Sequence, residues 1–435
     1  MTDLTSEPLW RLTASEAAAA LAAGRLTSEA LTRACLARIA ARDPELKAWV
    51  HVDADKALRE ARELDKEPRR SPLHGLPVAI KDMIDTADLP TAYNSPLFHG
   101  HRPAQDAAAV AVLRAAGCVI LGKTETTEFA AAGRNAPTGT PHNLAHTSGG
   151  SSAGSAAAVA DFHVPLALGT QTGGSLIRPA SFCGAYAFKP SWGQVSREGA
   201  KFYSVSLDTI GFYGRSVADL DLMAELFQLP GDPVPIDAVA GRRFALCHSP
   251  EWPHAEEGTK LAMVAAGDRL REAGAEIVDL ELPAPFAELN RAHRRILFGE
   301  GRTAFLPLYL SDKHRLHDDF RHRVENRDGF TPDELVWAYD LAAECRKAFD
   351  ALASGFDAVV TPSAPGEAPE GRGPGDPVFN QPWTLLHAPV VHLPVTTGPK
   401  GLPVGVSLVG ARLSDRRLLA VAAAAAEVVS PHREA

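Results

Sequence analysis

The sequence predicts an α/β fold in which helices alternate with short buried strands. Segments with helical periodicity and short apolar runs follow one another along the chain, a pattern typical of layered α/β domains. Hydrophobic residues make up 45% of the 435 positions and charged residues 22%, as in ordinary globular proteins. No linker divides the chain. A chain of this length buries roughly three-quarters of the surface that its unfolded form exposes.

The first elements are two helices within residues 14–42. We expect Ser15 to cap the first helix, and Thr27 or Ser28 to cap the second. Pro44 is expected to lie beyond the end of the second helix, because proline cannot continue the hydrogen-bond ladder.

Further elements follow in alternation. The apolar run LPVAI is bounded by Gly75 and Lys81, which predicts a buried strand at 76–80. The same reasoning predicts helix-then-strand pairs at 107–122 and 258–282, and buried strands at 357–362 and 404–410.

Two segments have the composition of connecting or surface structure. Residues 364–377 are rich in glycine and proline, which predicts a surface loop within the domain. Residues 312–328 are dense in both charge signs. We expect a solvated helix or loop there, with a lid or a partner surface as the alternative.

Charge and cysteine usage limit the possible functions. The chain has 44 basic and 53 acidic residues, a net charge of −9, and lacks the basic surface that nucleic acid binding needs. Five scattered cysteines form no CxxC pair, which predicts free thiols in a reducing compartment. No signal peptide or membrane span is expected, so we expect a cytoplasmic protein. The histidines follow no zinc-ligand spacing, and no metal or organic cofactor is expected.

Residues 146–190 contain two Gly-Gly-Ser turns, Gly149–Ser151 and Gly173–Ser175, whose serines are 24 positions apart. A predicted helix and strand lie between the turns, so both turns could meet at one edge of the sheet. Paired glycines allow several backbone N–H groups to point into one concavity that binds an anion. That anion could be a phosphate or the oxyanion of an acyl-transfer intermediate, with a serine hydroxyl beside it as nucleophile.

Several interpretations of the turns compete. They could be flexible loops, and the lysine that a GxxxxGK[ST] phosphate loop requires is missing. A GxSxG match centred on Ser152 lacks the apolar strand that such a nucleophile elbow needs before it. A serine–lysine pair with Lys81 as base is the third interpretation, since burial at a strand end would lower the pKa of that lysine. Lys81 could instead pair with Asp82 or Asp85.

The segments GGSSAGSAAAVA, TGGS, RPASFCG and FKPSWGQVS resemble the amidase signature family. The segments LHGLPVAIKD, CVILGKTETTEFA, FNQPWTLLHAPVVHLPV and GLPVGVSLVG extend the resemblance over nearly the whole chain. It implies a single α/β domain over 1–435 with a central mixed β-sheet covered by α-helices. Its parts would be N-terminal helices at 1–70, a signature core at 71–220, and the remaining sheet and substrate loops at 221–435.

The resemblance also implies a Ser–Ser–Lys triad that cleaves a carboxamide or urea-type C–N bond through an acyl-enzyme. Ser175 corresponds to the nucleophile, Ser151 to the bridging serine that follows a cis peptide bond, and Lys81 to the general base. The implied oxyanion hole consists of the backbone N–H groups of Thr172, Gly173, Gly174 and Ser175.

The sequence departs from the family pattern DTGGSIR at two charged positions. Gln171 and Ile177 stand where the family has Asp and Arg, and Arg178 follows one position later. Our hypothesis is that a neutral hydrogen-bonded arrangement around Gln171 replaces the usual Asp–Arg pair. The departure leaves the substrate open, and the acyl pocket is expected among loops near 125–145, 200–215 and 285–330.

The expected partner is a small-molecule amide substrate, with neither nucleic acid nor membrane, and a homodimer is possible. An alternative is that the chain is the glutaminase component, the A subunit, of a tRNA-dependent amidotransferase. A catalytically silent scaffold is disfavoured, because Lys81, Ser151 and Ser175 are all present.

Overall fold

The computed structural model describes residues 8–131, 133–232 and 234–431. Within them, helices flank one mixed β-sheet of eleven strands, and two further strands form a small separate pair. This confirms the predicted α/β fold with a central mixed sheet.

The strands are short, and most are buried along their whole length. They are β1 (Trp49–Val52), β2 (Pro77–Lys81), β3 (Val119–Thr124), β4 (Gly139–Thr140), β5 (Asn143–Thr147), β6 (Leu166–Gln171), β7 (Tyr186–Lys189), β8 (Thr209–Gly214), β9 (Arg243–Leu246), β10 (Glu276–Asp279), β11 (Ala358–Pro362), β12 (Val390–Thr397) and β13 (Pro403–Val409).

The helices range from five to twenty-four residues. They are α1 (Ala14–Ala22), α2 (Ser28–Leu46), α3 (Ala54–Leu64), α4 (Ala108–Ala115), α5 (Ala153–Ala160), α6 (Ile177–Cys183), α7 (Val217–Leu226), α8 (Glu257–Glu272), α9 (Leu289–Asp312), α10 (Asp318–Val324), α11 (Pro332–Ala353), α12 (Gln381–Leu385) and α13 (Asp415–Val429).

The strand order of the sheet is β1-β3-β2-β6-β8-β7-β12-β13-β11-β9-β10. Strand β2 is parallel to both β3 and β6, so their carboxyl ends lie at the same edge of the sheet. Strand β8 is antiparallel to β6 and begins beside the end of that strand. Sequence segments far apart in the chain therefore meet at one edge, where open α/β sheets commonly bind ligands.

The hydrophobic core extends through both halves of the chain and includes Leu76, Val78, Ala79 and Ile80 of LPVAI. All five cysteines are free and buried within it. No helix among the described residues is long and apolar enough to cross a membrane.

Two local predictions were wrong. Helix α1 is capped by Thr13 rather than Ser15, because Thr13 and Glu16 form a reciprocal capping box and Ser15 already lies inside the helix. Helix α2 continues through Pro44 to Leu46. Proline removes only its own N–H bond in this last turn, and the helix buries Leu46 before it ends at Lys47.

The loop prediction for 364–377 agrees with the structure, which has neither helix nor sheet strand there. The charged segment 312–328 contains helix α10, whose Phe320 and Val324 are buried beneath the charged surface.

Candidate active site

The first group of the candidate site is the ammonium of Lys81, at the carboxyl end of β2. The side chain is fully buried, because β2 lies between β3 and β6 in the sheet. Its Nζ lies 2.7 Å from Ser151 Oγ and 2.6 Å from Thr170 Oγ1. Sequence reasoning missed Thr170, although its position near the end of a neighbouring parallel strand was a usable signal.

Burial lowers the pKa of Lys81 well below its usual value, since the charged form loses its hydration; Asp208 opposes this only from a distance. No carboxylate of a described residue lies within ion-pair distance of Lys81. Asp82 lies 3.4 Å from Lys123 instead, and Asp85 accepts a hydrogen bond from a tyrosine. The interpretation of Lys81 as a partner of Asp82 or Asp85 is therefore wrong.

The two Gly-Gly-Ser turns meet at this edge of the sheet, as their spacing allowed. The N–H of Ser152 donates to the carbonyl of Ser175 at 3.1 Å, and the peptide bond between Gly150 and Ser151 is cis, as the resemblance implies. Ser175 keeps 8% of its surface exposed, and its hydroxyl makes no hydrogen bond to a described residue. The hydroxyls of Ser151 and Ser175 are not directly hydrogen-bonded to each other in the described part of the chain.

We call residues 172–175 the oxyanion loop. Among the described residues, no acceptor receives a hydrogen bond from any of its four backbone N–H groups. Glycine is required at Gly174, because a Cβ there would lie 2.4 Å from Asn380 Oδ1. The loop thus presents unused donors next to a serine hydroxyl, an arrangement that stabilises an oxyanion.

Gln171 fixes the beginning of helix α6 against the oxyanion loop. Its Oε1 accepts hydrogen bonds from the N–H groups of Leu176 and Ile177, and its Nε2 donates to Thr384 Oγ1 at 2.9 Å. The Thr384 hydroxyl in turn donates to the carbonyl of Gly173 at 2.7 Å. The hypothesis of a neutral arrangement around Gln171 is confirmed by these contacts.

Two more side chains hold Thr172. Its hydroxyl donates to Asp208 Oδ1 at 2.6 Å, and its carbonyl lies 2.8 Å from His293 Nε2. Burial raises the pKa of Asp208 and lowers that of His293 to about 4. Sequence reasoning missed the individual roles of Asp208, His293 and Thr384. The first two lie in segments expected to form the acyl pocket and the third lies in FNQPWTLLHAPVVHLPV, but nothing within those segments distinguished these residues.

Arg178 occupies an unusual position beside the site. Its guanidinium is buried and donates from Nη2 to the carbonyl of Gly150 at 2.6 Å, while Nε and Nη1 have no partner among the described residues. Burial lowers its pKa to about 10, against the attraction of Asp376. The side chain therefore remains charged at neutral pH, and it forms no ion pair with any residue in the described ranges.

A cavity of about 500 Å³ lies next to the site. Its walls come from residues 199–203 and from the stretch of α9 between Glu300 and Ala304, together with Tyr93 and Val205. A second, smaller pocket shares the wall formed by residues 200–203 with this cavity and is also lined by Thr170 and Thr172. Two of the segments expected to form the acyl pocket, 200–215 and 285–330, thus line a cavity that approaches the oxyanion loop.

Ser152, the serine of the GxSxG match, is not placed to act as a nucleophile. Ser152 is fully buried, and its hydroxyl donates to the carbonyl of Thr170 at 3.0 Å. Cys183 is buried in the core. Among the described residues, no group of three His, Cys, Asp or Glu side chains is arranged to hold a metal ion.

A family model described as Amidase matches residues 30–419. The A subunit of the glutamyl-tRNA(Gln) amidotransferase of Chloroflexus aggregans is 34% identical over 474 residues, covering 97% of each chain. The peptide amidase of Stenotrophomonas maltophilia superposes with a TM-score of 0.80 at 30% identity, covering 97% of this chain and 98% of its own. A chain from a vestigial protein complex, related to the origins of an s-triazine catabolic enzyme, superposes with a TM-score of 0.86 at 26% identity, covering 96% and 99%.

Proposed function

The chain belongs to the amidase family, and from this membership and the site geometry we propose that it is an amidohydrolase acting through an acyl-enzyme on Ser175. The substrate is a carboxamide or a urea-type compound. One observation carries the proposal: the buried Lys81 Nζ lies 2.7 Å from the Ser151 hydroxyl, and no carboxylate of a described residue lies within ion-pair distance of it. A lysine in such surroundings loses its proton readily and acts as a base.

In the proposed reaction, the Ser175 hydroxyl, which has no partner among the described residues, first turns to donate to Ser151 Oγ. Neutral Lys81 then takes the proton of the Ser151 hydroxyl while Ser151 takes that of Ser175. The Ser175 oxygen attacks the substrate carbonyl, and the negative oxygen binds the free N–H groups of the oxyanion loop. The proton then returns from Lys81 through Ser151 to the leaving nitrogen, and the C–N bond breaks. Water, deprotonated by the same path, attacks the acyl-enzyme and releases the carboxylic acid.

The test is a screen for ammonia or amine release from aliphatic amides, aromatic amides, urea derivatives and dipeptide amides. Ser175→Ala serves as the blank, and a serine-directed fluorophosphonate probes the nucleophile directly. We expect labelling of the wild-type chain and none of Ser175→Ala. A wild-type chain that stays unlabelled and releases nothing would refute the proposal.

A second candidate function is ammonia supply within an amidotransferase. The similarity to the amidotransferase component of Chloroflexus aggregans favours it, because that protein matches almost the whole chain. The two candidates share the acyl-enzyme step and differ in their dependence on a partner. Ammonia release by the isolated chain from simple amides supports the hydrolase, whereas glutamine cleavage that appears only with added partner proteins supports the amidotransferase.

A further inference from the structure

The sequence of the oxyanion loop does not by itself fix the directions in which its backbone N–H groups point. Each glycine in it has a wide choice of backbone angles, so the peptide planes could turn their N–H groups away from the substrate. The loop donates none of its four N–H groups to a described residue. Something outside the loop must therefore hold the peptide planes.

The carbonyl groups of the loop provide that hold. In a trans peptide, the C=O of one residue and the N–H of the next lie in one plane and point in opposite directions. The peptide bonds after Thr172 and Gly173 are trans. A donor that fixes the Thr172 carbonyl therefore also fixes the Gly173 N–H, and one that fixes the Gly173 carbonyl fixes the Gly174 N–H.

The structure supplies one donor for each carbonyl. Thr384 Oγ1 donates to the Gly173 carbonyl at 2.7 Å. His293 Nε2 lies 2.8 Å from the Thr172 carbonyl, and because a carbonyl only accepts, this nitrogen carries the proton. His293 is fully buried and its Nδ1 has no partner among the described residues, so the ring is held by the Thr172 contact.

From these contacts we infer that His293 is a positioning residue, whose Nε2–H orients the Gly173 N–H toward the reacting carbonyl. The inference rests on the proposed function, since it assigns His293 to the oxyanion hole of that reaction. Burial keeps the ring neutral by lowering its pKa to about 4, so the donor persists over the working pH range. Helix α9 carries both His293 and one wall of the 500 Å³ cavity. The same helix therefore contacts the oxyanion loop and lines the cavity.

The decisive comparison is between two amide substitutions at this position. The amide nitrogen of His293→Gln extends to about the place of Nε2, whereas that of His293→Asn is shorter and does not reach the Thr172 carbonyl. Removal of one oxyanion donor typically costs about 10²–10³-fold in kcat. Because the N–H is only misdirected here, we expect His293→Asn to lower kcat about 10–100-fold with little change in KM, and His293→Gln to recover most of the loss.

His387 offers a matched control. It also places Nε2 2.8 Å from a backbone carbonyl, that of Ser206, and burial lowers its pKa to about 3. The Ser206 carbonyl lies outside the oxyanion loop. We expect His387→Asn to lower the melting temperature while the folded enzyme keeps its kcat within about twofold.

A second measurement separates positioning from general damage. An aldehyde or boronic acid that adds to Ser175 places an oxygen in the oxyanion hole, so its affinity should fall in parallel with kcat in His293→Asn. A folded His293→Asn with unchanged kcat, or a His293→Gln as impaired as His293→Asn, would overturn the inference. Failure of the proposed function is distinct, because the wild-type chain would then be inactive and Ser175 unlabelled.

Discussion

Two lysines on adjacent strands are both fully buried, yet their surroundings differ in kind. Lys81 ends β2 and contacts two hydroxyl groups. Lys123, near the end of β3, lies 3.4 Å from the carboxylate of Asp82 and also donates to the carbonyl of Ile84. Burial lowers the pKa of both lysines, and only at Lys123 does an adjacent carboxylate oppose it.

The comparison separates a catalytic environment from a structural one. A buried ion pair is held by mutual attraction, and removal of one partner leaves the other charge buried without a counter-charge. A buried lysine among hydroxyls has no such partner, and it avoids the cost of desolvation by releasing its proton. Under the proposed mechanism, the adjacent carboxylate, and not the depth of burial, distinguishes Lys123 from the lysine that serves as base.

Substitution of Lys81 by methionine should have the largest effect on activity. We expect kcat/KM to fall about 10²–10⁴-fold, the usual contribution of a positioned base. Stability should change little, because the lost hydroxyl contacts are offset by removal of a buried amine. Kinetics and urea denaturation of Lys81→Met and Lys123→Met, measured together, test this. Equal losses of activity in the two variants would contradict the distinction.

Asp82→Asn should act mainly on stability. It leaves Lys123 buried without a counter-charge, which typically costs about 3–5 kcal/mol. Activity per folded molecule should stay close to wild type, since Lys81 makes no ion pair with Asp82. Urea denaturation gives the free energy of unfolding. A loss below about 1 kcal/mol would show that the Asp82–Lys123 contact is not an ion pair in solution.

Thr170→Asp should make the surroundings of Lys81 resemble those of Lys123. The new carboxylate would stand where a hydroxyl lies 2.6 Å from Nζ. A nearby opposite charge raises a lysine pKa by about 1–3 units, so kcat/KM measured below the pKa of Lys81 should fall about 10–10³-fold. Thr170→Asn is the neutral control. The kcat/KM profile of Thr170→Asp should shift to higher pH, and superimposable profiles of the two variants would exclude the electrostatic explanation.

The smallest expected effect is the pH dependence of kcat/KM in the wild-type chain, which should change about tenfold per pH unit on its rising part. The neutral fraction of Lys81 grows as pH rises through its lowered pKa, so kcat/KM should rise and then level off below pH 10.5. Stability should rise in the next interval, from the lowered pKa up to about pH 10.5, because there the unfolded chain still holds a proton that the folded chain has lost. A kcat/KM that keeps rising up to pH 10.5, with chemistry rate-limiting, would contradict a base whose pKa is lowered by burial.

The sequence was sufficient for the fold class and for the groups that lie within motifs. Lys81 ends an apolar strand, and Ser151 and Ser175 end paired-glycine turns, so local pattern made them candidates, and the family resemblance selected them among the competing interpretations. Their catalytic roles remain predictions. His293 and Thr384 were missed because they act across 121 and 211 residues of chain, through contacts that only the folded sheet creates.

Local chemistry also explains the smaller errors. Proline is a reliable stop in a helix interior, but near the last turn a buried side chain outweighs one missing bond, as at Pro44 and Leu46. The cap of α1 was misplaced because Thr13 and Ser15 are both good capping residues, and only Thr13 stands three positions before Glu16.

The burial of every thiol has a practical consequence for experiments on this enzyme. Burial raises the pKa of Cys35 and Cys118 to about 12, so the reactive thiolate form is scarce and maleimides should find no native target in the folded chain. One cysteine introduced at an exposed position on α9, such as Leu310→Cys, would then carry a fluorophore at a single defined place. That reporter could follow the helix during turnover without any prior removal of natural cysteines.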